Sequence, residues 1–276
     1  MLITGDFNTL TVRGKAGGGL LLVSDDGKEV RLPKRDTPKH IEIGDQIEAF
    51  VYADSDGSLY ATLDSPKAKR GEFAWLQVKD VTNFGAFLDW GIGKDLFVPS
   101  GMMHEPMVKG KYYIVYISAD PRSGSVIGCS SYSPFIKKDV SGLKPGKKVH
   151  YLVYRSTELG FSVIVDNAYL GLIYRSEAGR ELQVGESGEA YIKKVREDGK
   201  LDISLQKIGF DALVDGKKRL AAALESHGGF LPLTDNSSKE EIARELGMSK
   251  NLFKRAAGVL FREGVVSLDA DGIRLI

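Results

Sequence analysis

The stretch VTNFGAFLDWGIGKDLFVP, from Val81 to Pro99, is where the reading of this chain starts. It opens with Phe84-Gly85-Ala86-Phe87, turns at Gly91 and Gly93, and returns through Leu96-Phe97-Val98, a pattern that predicts a hairpin. Alternation from Gly85 to Trp90 predicts a half-buried strand. A glycine inside a strand pattern marks a bulge or a bend, so Gly85 is expected to break the period of two. Phe84 and Phe87 would then share an outer face and present two flat rings to solvent. Exposed rings on a small β-barrel stack nucleic-acid bases, because every base has a π-face. The alternative places both rings in the core, where phenylalanine is most often found.

The same skeleton occurs three times, as GGLLLVSDDGKEVRLP from Gly18, FGAFLDWGIGKDLFVP from Phe84 and LGFSVIVDNAYLGLIY from Leu159. From the anchors Gly18, Gly85 and Gly160, a second glycine follows 39 residues later in each copy, at Gly57, Gly124 and Gly199. Units of this length are small domains rather than solenoid repeats. In the second unit the expected strands are Phe73–Val81, Ala86–Trp90, Asp95–Pro99, Tyr112–Ala119 and Val126–Ser131, with a loop or short helix over Met102–Val108. Five short strands with a long connection after the third fit the five-stranded Greek-key barrel of the oligonucleotide/oligosaccharide-binding (OB) fold. Single barrels of this size bury little surface, so neighbouring units are expected to pack together.

From Phe210 the period changes to helical. Leu213, Leu220, Ala223 and Leu224 line one face of a helix that should end near Gly228-Gly229. Ser238-Lys239-Glu240-Glu241 is a capping box, Gly247 a stop, and Ser249 the cap of a helix over residues 250–263. Two strands joined at Asp271-Gly272 close the chain. Three helices and a terminal hairpin make a winged helix, with Lys250, Asn251, Lys254, Arg255 and Arg262 on the helix in the recognition position. The fold class is therefore mainly β with an α+β C-terminus: barrels over residues 1–66, 67–138 and 139–209, and a winged helix over 210–276.

The Gly-Ala-Phe step, the apolar-Gly turn and the closing glycine turn resemble the ribosomal S1-type RNA-binding domain. Three such units followed by a winged helix resemble the conserved virulence factor B family of bacterial RNA-binding proteins, over essentially the whole chain. The resemblance implies an RNA face made of two aromatics around the Gly-Ala step, a His after the third strand, and an Asp with a basic residue near the last turn. Matched by position, the second unit supplies Phe84, Phe87 and Asp120, but it has Pro99 at the His position and Arg122 as the nearest basic residue. The third unit has Leu159 and Ser162 at the aromatic positions, Tyr174 at the His position and Lys200 at the basic one. The first unit, with Gly17, Leu20 and Pro33, keeps none of the signature. Unequal roles for the three barrels are expected.

Charge sharpens that expectation. Residues 1–66 hold 7 Lys+Arg against 11 Asp+Glu, residues 67–138 hold 10 against 6, residues 139–209 hold 11 against 10, and residues 210–276 hold 10 against 10. Phosphate binding needs local positive charge, which favours the second unit, where Lys94 joins Arg122 as a candidate contact. In the third unit Lys193, beside Tyr191 in a Lys-Lys-Val-Arg run, is placed to follow a backbone. The Lys67-Ala68-Lys69-Arg70 cluster reads as a solvated linker.

One cysteine, Cys129, excludes a disulfide framework, and His40, His104, His150 and His227 lack metal-ligand spacing. Gly17-Gly18-Gly19 lacks the Lys-Ser/Thr of a phosphate-cradling loop. Neither a cofactor nor a metal is expected. No leader pattern and no run of 18 apolar residues is visible, so a soluble cytoplasmic protein with no membrane partner is expected. The composite expectation is a non-catalytic, regulatory protein that binds single-stranded RNA. Two readings stand against it: a protein-docking scaffold, and a transcription regulator that reads duplex DNA through the winged helix.

Overall fold

A computed structural model of the chain describes residues 1–54, 56–120, 123–207 and 210–276. Short alternating segments between glycine turns bury their apolar sides by curling into barrels, and three such sheets form. The first contains β1 (Asp6–Ala16), β2 (Gly19–Val23), β3 (Glu29–Leu32), β4 (Gln46–Ala53) and β5 (Leu59–Thr62), closed in the order β1-β2-β3-β5-β4. Its parallel step pairs Arg31 with Tyr60. Leu10, Val12, Leu22, Val30, Val51 and Ala61 fill it.

The second sheet contains β6 (Phe73–Thr82), β7 (Gly85–Leu88), β8 (Leu96–Pro99), β9 (Tyr112–Ala119) and β10 (Val126–Cys129), in the order β10-β9-β6-β7-β8. Its seam closes by packing, because Gly128 on β10 lies so close to β8 that an added Cβ would sit 2.7 Å from a Val98 methyl. The third contains β11 (Lys148–Ser156), β12 (Gly160–Val165), β13 (Tyr169–Tyr174), the single turn α1 (Arg175–Ala178), β14 (Ser187–Val195) and β15 (Leu201–Ser204), closed in the same order as the first.

The bulge expected at Gly85 lies elsewhere. Pairing runs unbroken from Thr82↔Gly85 to Asp80↔Phe87, and the register shifts on the first strand, between Val78 and Asp80. Equivalent shifts fall between Val12 and Gly14 and between Val153 and Arg155. Gly85 serves a close approach instead. A Cβ there would collide with the Val98 carbonyl oxygen and lie 2.7 Å from the Phe97 ring. Phe84 is therefore not on the strand; it sits in the two-residue turn Asn83-Phe84, 80% exposed.

The chain folds into two compact units. One comprises Met1–Asp139, His150–Gly171 and Glu181–Gly188; the other comprises Val140–Val149, Leu172–Arg180 and Glu189–Ile276. Within the first unit the junction between the first two barrels is pinned and is not a free linker. Trp90, 1% exposed, meets Phe50 edge-on at 5.3 Å, and its indole N–H donates to the Ala68 carbonyl at 2.7 Å. Lys67 pairs with Asp89 at 2.7 Å, Lys69 with Asp6 at 2.9 Å, and the Arg70 N–H donates to the Gly5 carbonyl.

The second unit carries the winged helix: α2 (Phe210–Ser226), β16 (Phe230–Leu231), α3 (Lys239–Leu246), α4 (Lys250–Arg262), β17 (Val266–Leu268) and β18 (Ile273–Leu275). The sheet order is β16-β18-β17, so a two-residue strand after Gly229 joins the expected hairpin. The spacing of Phe253, Ala256, Ala257 and Leu260 turns one side of α4 onto Leu220 and Leu224 of α2. The capping box forms both of its bonds, Glu241 N–H to Ser238 Oγ at 3.1 Å and Ser238 N–H to a Glu241 carboxylate oxygen at 2.8 Å.

Two stability outcomes follow from these contacts. Trp90→Ala leaves a cavity at the barrel junction and is expected to cost about 3–5 kcal/mol, read as a lower denaturant midpoint. Ser238→Ala is expected to cost about 1 kcal/mol. The Ser238 N–H holds the Glu241 carboxyl below the usual range. That contribution is therefore complete above the ordinary glutamate pKa and fades as pH falls through the lowered value, so melts of wild type and Glu241→Gln should converge in acid.

Candidate nucleic-acid interface

Phe87 on β7 and Phe97 on β8 face each other in register, ring centroids 5.0 Å apart and tilted by 40°. Both are half-buried. They form one wall of a groove of about 340 Å³, whose lining includes Tyr52 and Asp54 of the first barrel and Asp120 and Ser125 at the last turn of the second. The ring that packs against Phe87 is thus Phe97, not Phe84. Phe97 is visible in the sequence only through the register across the Gly91 and Gly93 turn, which sets it opposite Phe87 and sets Pro99 opposite Gly85.

Phe84 stands at the hairpin tip. Its N–H donates to Thr82 Oγ1 at 3.3 Å, and its carbonyl accepts from the Ser100 N–H at 2.9 Å. In the third barrel Leu159 occupies the matching tip, 61% exposed, with Thr157 in the place of Thr82.

Lys94 is anchored at the groove's end. Its Nζ donates to Asp54 at 2.6 Å and to the Ala53 carbonyl at 3.0 Å, and lies 5.8 Å from the Tyr52 ring centre. Burial pushes the Tyr52 phenol above its usual range, with Arg35 opposing. The backbone of Asp120 closes the last turn, its N–H donating to Ser125 O and its carbonyl accepting from Gly124, both at 2.8 Å. Arg122 lies outside the described residues.

The second unit brings together residues from two segments. Lys193 on β14, Lys207, Lys239 at the start of α3, and Lys250, Asn251 and Arg255 on α4 line one groove of about 510 Å³. Glu177 of α1 pairs with Lys193 at 2.5 Å, and Asp215 with Lys207 at 2.5 Å. Among the described residues Lys239, Lys250 and Arg255 make no ion pair. Lys254, by contrast, pairs with Asp235 at 3.5 Å and does not line the groove.

Beside this groove, Lys193 Nζ lies 5.9 Å from the Tyr174 ring centre. The Tyr174 hydroxyl accepts from Arg196 at 3.1 Å, and Arg196 Nε donates to Asp202 at 2.7 Å. Asp202 holds the Arg196 guanidinium even above its usual range. Arg196, rather than Lys200, is the basic partner of Tyr174; the Lys200 ammonium lies 3.5 Å from Asp198 on the turn. The signal for it was the Lys-Lys-Val-Arg run beside Tyr191.

No group of three or more His, Cys, Asp or Glu residues among the described residues could hold a metal ion. Cys129 is buried, and burial pushes its thiol up. No described helix is long and apolar enough to cross a membrane.

Comparison with known proteins gives three matches to domain families: "S1 domain" over residues 4–64, "Virulence regulatory factor CvfB, second domain" over residues 136–207, and "CvfB-like winged helix domain" over residues 218–275. Conserved virulence factor B of Staphylococcus aureus strain USA300 is 27% identical over 293 residues, covering 99% of this chain and 94% of that protein. The protein of the same name from Staphylococcus epidermidis is 25% identical over 285 residues, covering 99% and 95%. A solved multidomain protein with nucleic acid binding domains from Streptococcus pneumoniae TIGR4 is 26% identical, covers 99% of this chain and 98% of its own, and superposes with a TM-score of 0.43. With S1-type and winged-helix modules matched in order and relatives aligned from end to end, the chain is similar over its whole length to the conserved virulence factor B proteins.

Proposed function

We propose that the chain is a non-catalytic regulator that binds single-stranded RNA, working through four segments at 1–66, 67–138, 139–209 and 210–276. The observation that carries this reading is the basic groove of the second unit, where Lys239, Lys250 and Arg255 keep their charge unneutralised beside Lys193. Unpaired cations along an open groove release counterions when they take up phosphates. Asn251 adds a side chain that can both donate and accept hydrogen bonds. The half-buried Phe87 and Phe97 supply flat surfaces for unstacked bases, which a duplex keeps inside its own stack. The names of the relatives, a virulence factor and a virulence regulatory factor, support a regulatory role. The duplex-DNA reading shares α4 but gives the aromatic groove no task.

Anisotropy titrations at several salt concentrations test the reading. Single-stranded RNA is expected to bind more tightly than duplex of equal length; equal affinities would overturn the stacking component. Lys250→Ala and Arg255→Ala are each expected to lower the salt slope by about one phosphate, whereas Lys254→Ala, already paired with Asp235, leaves it unchanged.

The aromatic side is checked separately. Phe97→Ala is expected to weaken RNA binding by about 1–3 kcal/mol with the salt slope unchanged. Phe84→Ala, at an exposed tip, should leave the unfolding midpoint unchanged, so any loss of affinity reports its contact with RNA. A large loss of stability for Phe97→Ala with normal affinity in the folded fraction would return the Phe97 ring to a packing role.

A further inference from the structure

We infer that a groove beside Trp75, where the second barrel meets the third, is a further subsite for an unstacked nucleobase, apart from the Phe87 and Phe97 rings. The inference rests on the RNA-binding reading and extends it. Every residue it uses lies within the first compact unit. Alternation along β6 sends Ala74, Leu76 and Val78 into the second barrel and leaves Phe73 and Trp75 facing outward. Phe73 packs there with Leu152 and Ile164 of the third barrel. Trp75 stands at the margin of that contact, half-buried. It stacks on Tyr112, its diagonal neighbour on β9, with ring centroids 5.8 Å apart and planes inclined by 25°. Gly185 abuts the indole so closely that a Cβ there would lie 2.1 Å from the ring. Tyr112 remains 46% exposed. The pair is thus ordered before anything binds, so a base that stacks on it pays little to fix the rings.

The groove holds about 440 Å³, within the range of small-molecule pockets, and its lining includes Trp75, Asn167, Lys67 and Glu72. Two neutral donors in it are uncommitted among the described residues. Trp90 spends its indole N–H on the Ala68 carbonyl, whereas the Trp75 indole N–H has no acceptor. Asn167 Oδ1 accepts from the Phe73 N–H at 3.0 Å, which fixes the amide and leaves its NH2 as the end for a ligand. The charged groups named are already engaged: Lys67 pairs with Asp89 at 2.7 Å, and a Glu72 carboxylate oxygen accepts from the Lys69 N–H at 2.9 Å. A flat indole with neutral donors beside it suits the carbonyl edge of an unstacked base, which stacks and accepts hydrogen bonds at once.

The test uses the full chain and its tryptophan emission. The chain has two tryptophans and Trp90 is 1% exposed, so a base that enters the groove is read through Trp75. Single-stranded oligouridylate is expected to quench the emission, and Trp75→Phe to abolish that quenching. Tyr112→Leu removes the outer ring and is expected to weaken oligouridylate binding by about tenfold, within the range of one lost stack. Asn167→Asp keeps the oxygen that the Phe73 N–H needs and tolerates the left-handed φ of 53°, but it replaces the NH2 with an acceptor. It is expected to weaken binding severalfold with the unfolding midpoint unchanged. Oligouridylate binding detected by anisotropy with the emission unchanged, or full affinity in both variants, would overturn the subsite and leave the RNA-binding reading standing. Absence of binding to every single strand, natural RNA included, would overturn that reading and the subsite with it.

Discussion

A strand that pairs with one neighbour along its first half and with another along its second cannot stay flat, and the first two barrels here each depend on such a strand. β6 pairs with β9 through Phe73–Gln77 and with β7 through Val78–Thr82. β1 pairs with β4 through Asp6–Thr11 and with β2 through Thr11–Ala16. The register shift at each changeover supplies the bend and the added twist that let five strands wrap round one core. Downstream of it, Leu88 and Leu96 point inward while Phe87 and Phe97 point out. The aromatic face is thus a consequence of closure.

The fold was legible because its signals are local. Glycine anchors at equal spacing, alternating strands, the Ser238–Glu241 capping box and the stop at Gly247 each declare themselves within a few residues. The position of the bulge was not legible. A glycine in a strand permits either a break in the pleat or the approach of another group, and both need only the absence of a Cβ. At Gly85 the approach of Phe97 accounts for the glycine, and which of the two applies is set by a partner on another strand. Phe97 itself escaped notice for the same reason, since its pairing with Phe87 depends on register across a turn.

Segment charge is an incomplete guide for a related reason. The last segment balances 10 basic against 10 acidic residues, yet folding sorts them onto different faces. Asp235 pairs with Lys254, and Asp269 and Asp271 with Arg274, while Lys250 and Arg255 point into a groove that also receives Lys193 from the third barrel. The net charge of a segment is an average over faces, whereas a polyanion responds to one face at a time.

The second segment shows the converse. Its excess of cations suggested the best phosphate site, but five of them are bonded to carboxylates: Lys67 to Asp89, Lys69 to Asp6, Lys79 to Asp95, Lys94 to Asp54 and Lys109 to Asp80. Two of those carboxylates, Asp6 and Asp54, belong to the acidic first barrel. Exposed pairs of this kind contribute about 0–1 kcal/mol each, too little to hold two barrels together beside the burial of Phe50 and Trp90. What they add is orientation, since like charges in a different arrangement would repel. The cations that complement the first barrel are then engaged by its carboxylates, and the described lining of the aromatic groove between these two barrels is mainly apolar. On the reading proposed here, bases and backbone are therefore met by different surfaces: rings in the first unit, lysines and arginine in the second.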